Sequence, residues 1–308
     1  MKRKVSLHGP STLTISLPSK WTKENDIKKG DELNIEEKND ELIISFSDKS
    51  KKRLKADIDL KNTEKEIAWP LLALMHKKGY DEIKISFNNS DILNIIQKKI
   101  SSTLVGFEII EQTKDSCTIK SITEGFQSEL DNILRKIFSV TISLSKNSLE
   151  YIKTGTLKKI DELLSLEKTN NKLPNLCERI LNIIKFDLNN RYLYTIVWLL
   201  ESIADDYRDL CIAIKTKNQI TINKETEQIY EKVNNLFEDY HILFYTFSLK
   251  NMALFIKNQK QLTKEIMDSI KGHKDDQILA VLLTVSKRLG DLIGATLSLK
   301  IKLDTNKE

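Results

Sequence analysis

Five cations and no acid occupy the first 23 residues: Lys2, Arg3, Lys4, Lys20 and Lys23. A second run, Lys49, Lys51, Lys52, Arg53 and Lys55, follows at the end of the first 55 residues. Any one such cluster reads either as a solvated surface or as a contact for a polyanion. Two of them around one small module add weight to the polyanion, although composition alone leaves the solvated surface ahead. With DNA as that partner, Lys2, Arg3, Lys4 and Lys20 suit phosphate oxygens. Arg3, His8, Ser11 and Thr12 carry the donors and acceptors that reach base edges. Acids equal bases over residues 1–50, so only one face can attract, and a modest, strongly salt-dependent affinity is expected.

A second set of residues points to cation binding. Glu201 and Asp205 stand four apart, one turn from each other on one helical face. Two carboxylates turned into a helical bundle repel unless a cation sits between them. Glu167 and Asn171 repeat the spacing on the preceding helical stretch. Facing each other, the four residues would make an oxygen-rich site of the kind that takes Fe, Mn or Mg rather than zinc. The alternative is an ordinary exposed acidic face. Further on, only Asp291, Glu265 and Asp268 are available, and they are scattered.

Other chemistries are missing from the pattern. His8, His76, His241 and His273 are isolated, and only His241 has a Glu three residues before it, Glu238, whereas a di-iron bundle needs two such Glu-x-x-His pairs. There is no phosphate-binding glycine loop, HExxH or GxSxG, so the chain is expected not to be an enzyme. Cys117, Cys177 and Cys211 are far apart, which suits a reduced, cytoplasmic protein without disulfides. The most apolar run, Tyr194 to Leu200, ends at Glu201, short of the roughly 20 residues that span a bilayer. The basic start is not followed by the apolar core of a secretory signal. No membrane insertion is therefore expected.

The elements that must position these residues fall into three stretches. The 308 residues hold only 9 Gly and 4 Pro, too little turn punctuation for an all-β chain of this length. Residues 1–50 have period two. Lys4–Leu7 and Thr12–Leu17 alternate around Gly9-Pro10, Lys20–Asp26 reads as a short helix, and two further strands, 33–35 and 42–44, pair across Asn39-Asp40. This β-β-α-β-β module is too small to bury a good core alone, so dimerisation is expected.

Residues 51–124 read as a small α/β unit, a rigid spacer or a dimer contact. Its strands lie at 57–60, 83–87, 107–110 and 117–120. A helix over 64–78 is kinked at Pro70, and another over 92–101 is capped by Ser90-Asp91. From 125 to 305 the period is 3.6, with breaks expected at Gly155, Asn189, Asn223, Asn258 and Gly272, giving six helices. Leu200–Asp205 is echoed by Ser286–Asp291, which suggests two three-helix bundles in tandem. Trp21, Trp69 and Trp198 fall on apolar faces and are expected in the core.

Lys2–Val5, Ser11–Pro18 and Lys28–Leu33 resemble the AbrB/SpoVT-like swapped-hairpin DNA-binding domain. The helical region resembles the PhoU-like domain, with Leu200–Asp205 where that family has its E-x-x-x-D signature. Tyr80–Ile83, Val105–Gln112 and Ile133–Phe138 resemble archaeal phosphate-uptake regulators that join the two domains. The resemblance implies an α+β multidomain protein: an N-terminal swapped-hairpin β domain, a central α/β unit and a C-terminal PhoU-like pair of three-helix bundles. It further implies a homodimeric, DNA-binding regulator of phosphate uptake whose helical half senses phosphate status through a metal cluster, a partner or both. In the second bundle Lys287 stands where the family has its Glu. The competing reading is an adaptor that does not bind DNA and docks on a phosphate transporter or signalling protein. A third is an antitoxin, since AbrB-like domains often head antitoxins.

Overall fold

The computed structural model describes residues 1–38, 41–46, 53–122, 125–184, 188–217, 222–270 and 275–301. The fold is α+β and mostly helical, and it divides into two compact units, Met1–Arg53 and Leu54–Glu308.

The first unit follows its period-two pattern. Strands β1 (Ser6–His8) and β2 (Thr12–Thr14) pair antiparallel with Leu7 opposite Leu13. Helix α1 (Ser19–Glu24) follows. Strands β3 (Asn34–Lys38) and β4 (Glu41–Ser45) then form a second antiparallel hairpin with Ile35 opposite Ile44. The expected turn at Asn39-Asp40 lies outside the described residues. Between α1 and β3 the Asp31 carboxylate accepts the Lys28 N–H at 2.7 Å and fixes the turn.

In the second unit, strands β5 (Lys55–Asp59), β6 (Glu82–Ser86), β7 (Phe107–Gln112) and β8 (Ser116–Ser121) form one sheet in the order β5-β6-β8-β7. The first pair is parallel and the others are antiparallel. The parallel pair requires a crossover, and helix α2 (Ala68–Lys77) supplies it. Helix α3 (Ser90–Ser102) connects β6 to β7. Ala68 and Leu72, four apart along α2, share one apolar core with Ile92 and Ile96 of α3 and Ile83, Ile85, Cys117 and Ile119 of the sheet, and His76, a further turn on, packs against Phe107.

Two local expectations change here. Pro70 lies in the first turn of α2, directly after a short 3-10 turn at Lys65–Ile67. Its missing N–H is one of the groups that a helix start leaves unpaired anyway, so it marks the start and makes no interior kink. The cap of α3 is Asn89, whose side chain accepts the Asp91 N–H at 2.9 Å.

Among the described residues seven helices follow, where the breaks in the pattern suggested six: α4 (Leu130–Thr154), α5 (Leu157–Asn170), α6 (Lys172–Ile183), α7 (Leu188–Lys217), α8 (Lys224–Tyr245), α9 (Leu249–Ser269) and α10 (Asp276–Lys300). The extra break falls at Asn171. Asn258 does not break α9, because its side chain is exposed and carries no packing burden. The chain instead turns at Thr246–Ser248, where Ser248 caps α9 by accepting the Asn251 N–H at 3.1 Å. Gly272 lies outside the described residues. Helices α4 to α7 pack among themselves, as do α8 to α10. Contacts of α7 with α10 and of α4 with α8 join both groups around one continuous apolar core. Among the described residues no helix is long and apolar enough to cross a membrane.

Candidate functional site

Three basic residues of the first unit precede its first hairpin in the chain. Lys2, Arg3 and Lys4 lie in the exposed chain that runs into β1. His8 closes β1 directly opposite Thr12, and Ser11 sits in the turn between them. One hairpin end therefore carries His8, Ser11 and Thr12, all exposed, with the three cations at the entry to its first strand. Lys20 lies on α1 with its side chain 88% exposed, 3.9 Å from Glu24. In the second cluster, residues 49–52 lie outside the described ones, and Lys55 is held in the sheet by Glu82 at 2.8 Å.

No described residue of this unit is buried. Leu7, Leu13, Ile35 and Leu42 are 62–69% exposed. Each such side chain would gain about 1.5–3 kcal/mol on full burial. The two hairpins thus carry apolar residues with the alternation of a half-buried strand, and no described residue of the unit buries them.

The carboxylates predicted to bind a cation lie in the second unit, and protein cations already sit among them. Glu167 of α5 is buried and 3.4 Å from the Arg208 guanidinium of α7. Arg208 also forms short ion pairs with Asp205 and Asp209. Asn171 caps α5, and its side chain bonds Glu167. Burial raises the Glu167 carboxyl above its usual range, while Asn171 and Arg208 pull it back.

Glu201 belongs to a neighbouring network. Lys77, at the end of α2, places its Nζ 2.6 Å from Glu178 of α6 and 3.8 Å from Glu201. Tyr194 hydrogen-bonds Glu178. Burial pushes the Glu201 carboxyl up to about 7, with Glu178, Asp205 and Glu167 adding to the rise and Lys77 opposing it. Asp206 pairs with Arg288 of α10 at 2.6 Å.

Thus Glu167, Asn171 and Asp205 come together, but around Arg208, while Glu201 turns to Lys77. Among the described residues no group of three His, Cys, Asp or Glu is placed to hold a metal ion. As they stand, these side chains do not fit an Fe, Mn or Mg centre. Of the scattered later acids, Glu265 pairs with Lys232 at 2.5 Å, and Asp268 and Asp291 are exposed.

Sequence reasoning missed the joint beside this network. Arg179 of α6 donates to the main-chain oxygens of His76 and Tyr80 at 3.0 and 2.7 Å, and to Asp81 at 2.8 Å. Asn182 donates to the Lys77 carbonyl at 2.7 Å. Asn182 thus satisfies the Lys77 carbonyl at the end of α2, and Arg179 adds a second donor to the His76 carbonyl, which already accepts the Gly79 N–H, so the helical region grips the α/β unit at that point. Gly79, at φ +86°, allows the close approach, since a Cβ there would lie 2.9 Å from Ile183 Cγ1. The only trace in the sequence was the unusual polar run Glu178-Arg179 on an apolar helix. Trp198, expected in the core, is 52% exposed on the outer side of α7.

Two exposed hairpins and a short helix, with no buried residue among those described, make a small β module whose apolar side chains are left uncovered. Residues 9–55 match the family model described as antidote-toxin recognition MazE, bacterial antitoxin. The match supports the AbrB-like character of the N-terminal unit and is compatible with a DNA-binding regulatory role. No curated protein and no solved structure matches the chain.

Proposed function

We propose that this protein is a homodimeric, DNA-binding transcriptional regulator of phosphate uptake that works in the cytoplasm. The observation that carries the DNA part is the first unit: a hairpin with basic residues at its entry, apolar residues left uncovered and a MazE-like match over residues 9–55. Two copies interlocking their hairpins would bury Leu7, Leu13, Ile35 and Leu42 and present Lys2, Arg3, Lys4 and Lys20 to phosphates from both protomers. His8, Ser11 and Thr12 would then face base edges.

The phosphate part rests on the resemblance of the helical region to PhoU-like domains. In that reading α8 to α10 are one three-helix bundle, and α4 to α7 are the other with an added helix. The helical region senses, and the Arg179 grip on α2 passes a change of packing to the α/β unit. The proposal assigns no step to Fe, Mn or Mg.

Fluorescence anisotropy with genomic DNA fragments across a salt series tests the DNA reading. The expected result is binding that weakens steeply with salt, and a flatter salt slope for the Arg3→Ala/Lys4→Ala/Lys20→Ala variant. No binding even at low salt would overturn it and favour the adaptor that docks on a phosphate transporter or signalling protein. The antitoxin reading draws on the description of the matching family. Against it, antitoxins usually end in a short flexible tail, whereas here Leu54 onward folds around two apolar cores.

A further inference from the structure

Helix α9 carries a surface that the regulatory reading does not use. Met252, Phe255, Gln259, Leu262 and Ile266 are its buried residues. At 100° per residue they define one stripe, and the opposite side is centred on Lys250, Lys257 and Lys264, with Lys260 beside them. All four lysines are exposed. None makes an ion pair among the described residues, and no acid occurs from Leu249 to Lys264. The first acid, Glu265, is held by Lys232. Leu249, Leu254 and Met267 lie on the same outer half, 64%, 57% and 52% exposed.

Unpaired lysines interleaved with exposed aliphatic and thioether side chains restrict the partner. A duplex offers phosphates but only small apolar groups, such as thymine methyls within the groove, to Leu249, Leu254 and Met267. The surface of an anionic bilayer offers both: headgroup phosphates for the ammonium groups and an acyl boundary for the apolar side chains. The cations are all lysines, whose flexible stems can lie along the apolar layer while the charge stays at the headgroups. The 21 residues of α9 give a rod about 30 Å long, enough for several headgroups.

We propose that α9 is a docking face for an anionic lipid membrane, lying in the headgroup plane with its lysines on phosphates and Leu249, Leu254 and Met267 entering the boundary. The protein would rest on the bilayer and not cross it.

The test is co-sedimentation of the full-length protein with vesicles of phosphatidylglycerol and phosphatidylcholine, against vesicles of phosphatidylcholine alone. Three variants accompany it: Lys250→Gln/Lys257→Gln/Lys260→Gln/Lys264→Gln, Leu254→Ser/Met267→Ser, and Arg3→Ala/Lys4→Ala/Lys20→Ala. All substitutions are at exposed positions, and circular dichroism confirms retained helix. Binding to the anionic vesicles alone is expected, at least tenfold weaker in the lysine variant, several-fold weaker in the Leu254/Met267 variant and unchanged in the N-terminal one. No vesicle binding by the wild type would overturn the proposal, as would binding that survives in the lysine variant or is lost in the N-terminal one. Loss of DNA affinity in the lysine variant without any vesicle binding would reassign the face to nucleic acid.

Discussion

Arg208 shows how a single side chain decides what a cluster of carboxylates can do. It stands where a cation between Asp205 and Glu167 was expected. Arg208→Ala would leave Glu167 buried without its charged partner, at a cost of about 2 kcal/mol at pH 7, less than for a fully buried pair because Arg208 is partly exposed. The Glu167 pKa is already raised by burial, so protonation relieves the defect, and urea unfolding should show a smaller loss at pH 5 than at pH 7. Adding Mn2+ should leave the wild-type Tm unchanged and recover part of the loss in the variant, where the carboxylates and Asn171 are freed. His76 carries a different sensitivity. It is fully buried against Phe107, with ring centroids 5.2 Å apart, and burial first and then Arg179 push it down to about 3. Its contribution is therefore intact above pH 6.5 and is lost as pH falls toward 3, because the unfolded chain takes up a proton that the folded one refuses. The slope approaches roughly 1.4 kcal/mol per pH unit. Glu201, raised to about 7, has the opposite sign and favours folding more as pH falls from 7 toward 4.5. Thermal melts of wild type and His76→Leu across pH 7 to 4 separate the two: the stability difference should shift in favour of the variant as the solution is acidified.

Elements inherit these constraints through their ends. Gly79 combines a left-handed backbone with a close approach to Ile183, so Gly79→Ala should cost about 1–2 kcal/mol. Gly79→Ala/Ile183→Val should recover part of that, since it removes the Cδ1 methyl and leaves room for Ile183 Cγ1 to give way, which chemical denaturation of both variants would show. Gly155 ends α4 with the same backbone sign, but a Cβ there meets nothing within 4 Å. Gly155→Ala should therefore carry only the strain of its φ. Such ends were legible in the sequence where one residue type does the work: Gly79, Gly155 and the Asn223 cap, whose side chain accepts the Thr226 N–H at 2.7 Å. The hairpins were legible because a half-buried strand writes its period directly, and the order of the α/β unit followed in the same way. Asn258 misled because a polar residue on an exposed helix face looks locally like a break. Asn171 was overlooked as a break because its spacing from Glu167 also suits a single continuous helix. Trp198 misled because periodicity cannot distinguish a core stripe from an outward one beside it. The partners of Glu178 and Glu201 were illegible for a different reason. Lys77 is about a hundred residues or more away along the chain from both, and pairing at that distance is decided by how α2 meets α6 and α7.

At the scale of the whole molecule, the two units differ in what folding gives them. The second unit closes around two apolar cores of its own. The first leaves Leu7 and Leu13 opposed on β1 and β2 and exposed at 66% and 69%, so the free energy for ordering its hairpins has to come from outside the unit. A second copy is the partner that is always present at matching concentration, and an isologous contact buries the same four apolar residues twice. In the proposed homodimer, stability of the first unit is inseparable from association, and DNA affinity would follow it, because one protomer supplies only half of the basic residues. Leu7→Ser/Leu13→Ser should accordingly do three things together. Analytical ultracentrifugation should show the dimer dissociating at concentrations where the wild type is dimeric. Anisotropy should show DNA binding at least tenfold weaker, with a salt slope near half that of the wild type. Helical ellipticity should change little, since α4 to α10 do not depend on these residues. A dimer that persists with the substitutions would place the self-association in the second unit. In that case the hairpins would have to be covered by something other than a second copy of themselves.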